Sequence, residues 1–172
     1  MAFAQPKRLT GLVVVDGAAG AIDEQEIGEW EKRWAARPQP PTDVERYVDF
    51  TMQQIFADPS RVPASFRDDL RFQFEHAAPG QIDAVAEDRR TVMPYASLRM
   101  PTLVVWGEQD SMAPPARGRR LAEAIPGARF VGLPGVGHTC QVEAPAEFVA
   151  AVAPFLNGLA GSPSPAVQRG QR

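Results

Sequence analysis

The sequence predicts an α/β fold: three parallel strands with flanking helices form a core, and an all-helical insert interrupts it. Three observations carry that expectation. First, the runs Leu12 to Val15, Thr102 to Trp106 and Arg129 to Leu133 are short, apolar or β-branched and bounded by turn residues, the pattern of buried parallel strands. Second, the stretch PPARGRRLAEAIPG between the last two reads as a helix, with Ala116, Leu121, Ala124 and Ile125 on one face and Pro126-Gly127 as its stop. Third, APAEFVAAVAPFLNGL spaces Phe148, Val149, Val152, Phe155 and Leu156 as an apolar helical stripe suited to covering a sheet.

The expected organisation is a first core strand in 1–17, a helical insert in 18–98, a C-terminal α/β core in 99–157 and a disordered tail in 158–172, whose small, polar, proline-bearing composition suits no core. In the insert one helix is expected from Thr42, with Glu45 completing a capping box. It carries Val44, Tyr47, Val48, Met52, Ile55 and Phe56 until Asp58-Pro59 ends it. A second is expected near Ser65 to His76, with Phe66, Leu70 and Phe74 at i, i+4 and i+8.

A chain of 172 residues, 44% apolar and 23% charged, suits one ordinary globular domain. The net charge of -3 with interspersed signs predicts no polyanion face, so no nucleic-acid partner is expected. No run approaches the roughly 18 apolar residues of a membrane helix, and the N-terminus lacks a signal-like apolar segment. No membrane association and a cytoplasmic location are the expectation. The lone Cys140 excludes an internal disulfide and a thiolate zinc cluster, and His76 stands at no metal-ligand spacing from His138; neither metal nor cofactor is expected.

In open parallel sheets functional groups sit on loops past the carboxyl ends of strands. Asp110 in LVVWGEQDSMAPP and His138 in LPGVGHT both satisfy that rule, on successive strands. The carboxylate could accept the imidazole Nδ1 proton and leave Nε2 as a general base.

The stretches RMPTLVVWGEQDSMAPP, PGARFVGLPGVGHTCQVEAPAEFVAAVAPFL and PKRLTGLVVVDG resemble the C-terminal part of an α/β-hydrolase with a helical cap. The resemblance covers roughly residues 6–157. It implies a partial α/β-hydrolase fold and makes Asp110, within Gly107 to Pro114, the acid and His138, after Gly137, the base of a catalytic triad. It implies hydrolysis of a small apolar substrate at an ester or related bond. The cap stretch IFADPSRVP is also similar to caps of this group.

The nucleophile elbow G-x-S-x-G occurs nowhere in the sequence, nor does an H-G-type oxyanion loop; Ser60, Ser65, Ser97, Ser111, Ser162 and Ser164 all lack the flanking glycines. By resemblance Met1 begins after the nucleophile should have passed. Two functional expectations therefore stand together: a hydrolase lacking its nucleophile half in this chain, and a non-catalytic remnant or fragment completed by another chain. A strand Leu12 to Val15 without a neighbour would expose an unpaired edge, which predicts self-association.

Rival readings accompany each residue. Asp16 could be the acid instead, or only a turn-forming Asp-Gly. Glu108 suits the surface, Cys140 a small buried site, Trp106 the core and His76 a satisfied helix position. Phe50, Met52, Phe56, Phe66, Phe72 and Phe74 could line an apolar pocket or form the core of the insert. VVVDGAAGA lacks G-x-G-x-x-G and reads as a turn, not a phosphate loop.

Overall fold

The computed structural model describes residues 2–17, 24–36, 43–76 and 93–160. Strands β1 (Leu12–Val15), β2 (Thr102–Gly107) and β3 (Arg129–Leu133) lie in that order in one parallel sheet. Leu12 stands opposite Thr102, and Gly107 opposite Leu133. Helices α1 (Glu24–Ala35), α2 (Val44–Ile55) and α3 (Ala64–Glu75) fall between β1 and β2. Helix α4 (Pro115–Ala124) joins β2 to β3, and α5 (Cys140–Glu143) and α6 (Pro145–Ala160) follow β3.

The central strand is buried along its whole length, because a strand flanked on both edges and covered on both faces has no solvent side. Its residues alternate between two apolar layers. Leu103 and Val105 pack with Val136, Val152 and Phe155 on one face; Val104 and Trp106 pack with Leu98, Leu121 and Ile125 on the other.

Helix α4 meets the sheet on a face other than the expected one. Ala116 and Ala124 are exposed, whereas Arg117, Gly118 and Leu121 are buried, with Ile125 at the helix end. The cause is the bulk of Trp106 on β2: a Cβ at position 118 would lie 2.5 Å from its ring, so the helix turns its one residue without a side chain toward it. The Trp106 indole N–H, buried with it, donates to the Ala113 carbonyl at 2.7 Å.

The stripe on α6 is likewise shifted. Phe148, Val152, Phe155 and Leu159 face the core, while Val149 and Leu156 are 59% and 49% exposed. At about 100° per residue the first four share a narrow sector and the last two sit a quarter-turn away. The helix continues to Ala160, so 158–160, assigned from sequence to the tail, are helical. The rest of that tail, 161–172, lies outside the described residues.

In the insert, the expected cap Thr42 lies outside the described residues. The N-cap of α2 is Asp43, whose carboxylate accepts the Arg46 N–H at 3.1 Å. Glu45 pairs with Arg67 at 2.9 Å and with Arg71, joining α2 to α3. Val48, Met52, Phe56 and Leu70 form the core between these helices, with Phe66 and Phe74 packed against it. Phe56 and Phe66 meet edge to face at 5.2 Å. Phe72, by contrast, is 63% exposed and stacks on His76. Among the described residues no helix is long and apolar enough to cross a membrane.

Candidate active site

Parallel pairing brings the ends of β2 and β3 side by side, and each strand runs directly into a short loop. The β2 loop closes on Asp110, which is 4% exposed and donates its N–H to the Gly107 carbonyl at 3.2 Å. Its Oδ1 accepts the N–H groups of Met112 and Ala113, both at 2.8 Å. That leaves Oδ2 for a partner outside the loop, and the partner is His138: Nδ1 lies 2.8 Å from Oδ2. The two residues singled out from sequence are therefore in hydrogen-bond contact, 28 positions apart.

The histidine side chain is 29% exposed, whereas the Asp110 side chain has no exposure. A buried carboxylate at Oδ2 selects the tautomer with its proton on Nδ1 and leaves the Nε2 lone pair free to accept a proton. The pair can thus act as a base whose ring orientation is held from behind.

The loop carrying His138 is built from glycines with distinct tasks. Gly135 adopts φ +72°, a left-handed conformation that side chains resist. Gly137 passes against Ile55–Ala57, where a Cβ would lie 2.6 Å from the Ala57 nitrogen. Gln109 spans the gap from the other loop, its side-chain carbonyl accepting from Gly135 and, at 3.1 Å, from Val136.

Asp16, the rival acid, is directed elsewhere. It is 3% exposed, and its oxygens accept the N–H of Gly107 at 2.8 Å and of Cys140 at 3.0 Å. Its φ of +47° is that of a turn residue, matching the Asp-Gly reading. Burial is the largest influence on its carboxyl and raises the pKa, against the hydrogen bonds from Cys140 and Gly107. Cys140 is buried, and burial followed by the neighbouring Asp16 pushes its thiol well above the ordinary range, the opposite of an activated thiolate. Glu108 pairs with Arg119 at 2.6 Å toward the surface, and His76 caps α3 with Nδ1 2.8 Å from the Phe72 carbonyl. Three serine hydroxyls are engaged away from the histidine: Ser60 with Asp58, Ser97 with the Pro94 carbonyl and Ser111 with the Gln54 carbonyl.

Sequence reasoning missed Gln109 and Glu143. Glu143 is 2% exposed and accepts from Gly137, Ala57 and Asp58. The available signal was an acid set between the apolar Val142 and Ala144.

Comparison with known proteins agrees with this fold. A family model described as alpha/beta hydrolase family matches residues 1–152. Lipase 3 of a Moraxella species is 34% identical over 77 residues, covering 45% of this chain and 24% of the lipase. A thermophilic esterase from Thermogutta terrifontis superimposes over 92% of this chain and 59% of that one, with a TM-score of 0.65 and 23% identity. A bromoperoxidase from Bacillus anthracis does so over 87% and 59%, with a TM-score of 0.67 and 22% identity. The chain spans less than two thirds of the length of the relatives it matches. With a parallel sheet of this topology, an acid and a histidine on successive strand ends, and a family match over most of its length, the chain belongs to the alpha/beta hydrolase family.

Proposed function

We propose that the chain carries the acid and base of a hydrolase acting on small apolar substrates at an ester or related bond, with a nucleophile that these 172 residues do not contain. The observation that carries this reading is the 2.8 Å contact between His138 Nδ1 and Asp110 Oδ2. His138 Nε2 takes the proton of the attacking group and later activates water, while Asp110 holds the tautomer and stabilises the imidazolium. Helices α1 to α3 act as a cap that sets the choice of substrate. Similarity to a lipase and an esterase supports acyl substrates. The buried, free Cys140 supports a reducing, cytoplasmic setting.

A second reading is favoured by the absence of G-x-S-x-G: by itself the chain is non-catalytic, a remnant or a fragment completed by another chain. An acid and a histidine have nothing to activate without a nucleophile, and each missing oxyanion donor costs about 10²–10³ in rate.

One assay with an activated aryl ester tests both. It compares the 172-residue chain, its His138→Ala variant, and a longer polypeptide encoded by in-frame DNA upstream of Met1 that contains G-x-S-x-G. The short chain and its variant are expected to be equally slow, and the longer polypeptide to lose about 10²–10⁴-fold on His138→Ala. A longer polypeptide indifferent to His138 defeats the first reading. A short chain clearly faster than its variant defeats the second.

A further inference from the structure

Residues 54–58, the end of α2 and the turn after it, touch both loops that carry the acid and the base. Ser111, next to Asp110, donates its hydroxyl to the Gln54 carbonyl at 2.9 Å. The N–H of His138 itself donates to the Ile55 carbonyl at 2.6 Å. Glu143 closes this arrangement from below. Its Oε1 accepts the Asp58 N–H at 2.7 Å; its Oε2 accepts both the Gly137 N–H at 2.7 Å and the Ala57 N–H at 3.2 Å.

We propose that Glu143 is a positioning residue for His138: through the backbone of Gly137 and of Ala57–Asp58 it holds the imidazole in register with Asp110. This rests on the acid–base reading of the pair given above. The physical basis is the number and origin of the donors. Three backbone N–H groups from two segments some 80 positions apart converge on one buried carboxylate. Hydrogen bonds to a charged acceptor are the strong ones, and a carboxylate offers acceptor sites on both oxygens. A neutral carboxamide of the same size offers one acceptor oxygen and turns an N–H toward at least one of the three donors. Glu143 thus holds Gly137 directly, and with it the ring direction of His138 one residue on, beside the His138 N–H contact to Ile55.

The same contacts give the end of α2 a specific role. An insert that only covered a substrate could move without disturbing the acid or the base. Here residues 54–58 are bonded to both loops, so displacing that segment loosens the pair.

The test is nitrogen-15 NMR of the histidine rings in the full chain, which has only two histidines. In the unsubstituted protein His138 is expected to carry its proton on Nδ1, in slow exchange with water. Glu143→Gln is expected to speed that exchange about tenfold or more, the equivalent of one lost charge-assisted hydrogen bond, and to mix the two tautomers. Phe72→Ala, at an exposed position of the same insert, is expected to leave the His138 signal unchanged.

A first spectrum without the Nδ1 proton overturns the acid–base pair and the proposal together. A normal first spectrum that Glu143→Gln does not alter overturns the proposal alone. Should Glu143→Gln not fold, amide exchange in the unsubstituted chain decides. The amides of Ala57, Asp58, Gly137 and His138 are expected to open as one unit, with protection equal within about threefold. Independent opening of the two segments overturns the proposal.

Discussion

Oδ2 of Asp16 accepts the N–H of Cys140 at 3.0 Å, joining the end of β1 to the helix that begins two residues after His138. Oδ1 of the same carboxylate holds the N–H of Gly107 at the end of β2. One buried acid thus gathers the carboxyl end of the sheet beneath the Asp110–His138 pair.

That acid makes stability depend on pH. Its pKa is raised, chiefly by burial, so the folded chain binds its proton more tightly than the unfolded chain. The resulting stabilisation is complete below the ordinary carboxylate range and is lost as pH rises through the raised folded value. Asn tolerates the left-handed backbone at this position and does not titrate. The stability advantage of the unsubstituted chain over Asp16→Asn is therefore expected to shrink as pH climbs from about 4 to about 8, measured by thermal unfolding. A difference constant across that range would show that Asp16 does not titrate with folding.

The insert is also tied to α4 by charge. Glu26 on α1 meets Arg117 at 3.1 Å, with side-chain exposures of 11% and 5%. Removing one partner of a buried pair leaves the other charge without compensation, so Glu26→Gln is expected to destabilise by about 3–5 kcal/mol. Combining it with Arg117→Met is expected to recover much of that loss in urea unfolding. A simple sum of the two single effects would mean that the pair is not coupled.

The phenylalanines of the insert divide by burial. Phe56, 4% exposed, is expected to cost about 3–5 kcal/mol on truncation to Ala. Phe72, 63% exposed, is expected to cost no more than about 0.5 kcal/mol. Equal losses in denaturant titrations would indicate that Phe72 is covered in solution.

Among the described residues β1 is an edge strand. The N–H groups of Leu12 and Asp16 donate toward β2, so by the two-residue period those of Val13 and Val15 face the open edge. An open apolar edge is a template for pairing with another chain. Concentration-dependent association is expected in sedimentation, and Val13→Pro, which removes an outward donor, is expected to weaken it. Unaltered association in that variant would locate the interface elsewhere.

The strands and the identity of the pair were legible because both rest on local patterns. Short β-branched runs bounded by turn residues marked β1 to β3 to within one residue. A loop acid and a loop histidine after successive strands are placed by the topology of a parallel sheet. Helix faces were less legible. Periodicity identified α4 and α6, but the rotation of α4 depends on Trp106, a residue on another element, and no apolar count along the helix contains that constraint. The partners of Glu45 were illegible for a related reason: Arg67 and Arg71 lie on a helix that folds back from later in the chain.

The amino-acid order alone determined that the chain alternates strands and helices, and that Asp110 and His138 stand where a sheet would present them. Tertiary structure decided which acid faces the imidazole, because Asp16 and Asp110 are both loop acids after strands and only their hydrogen-bond partners separate them. It also decided that Glu143 belongs with the pair: its three donors come from segments that sequence distance holds apart, and a buried carboxylate selects its partners by position in space rather than along the chain.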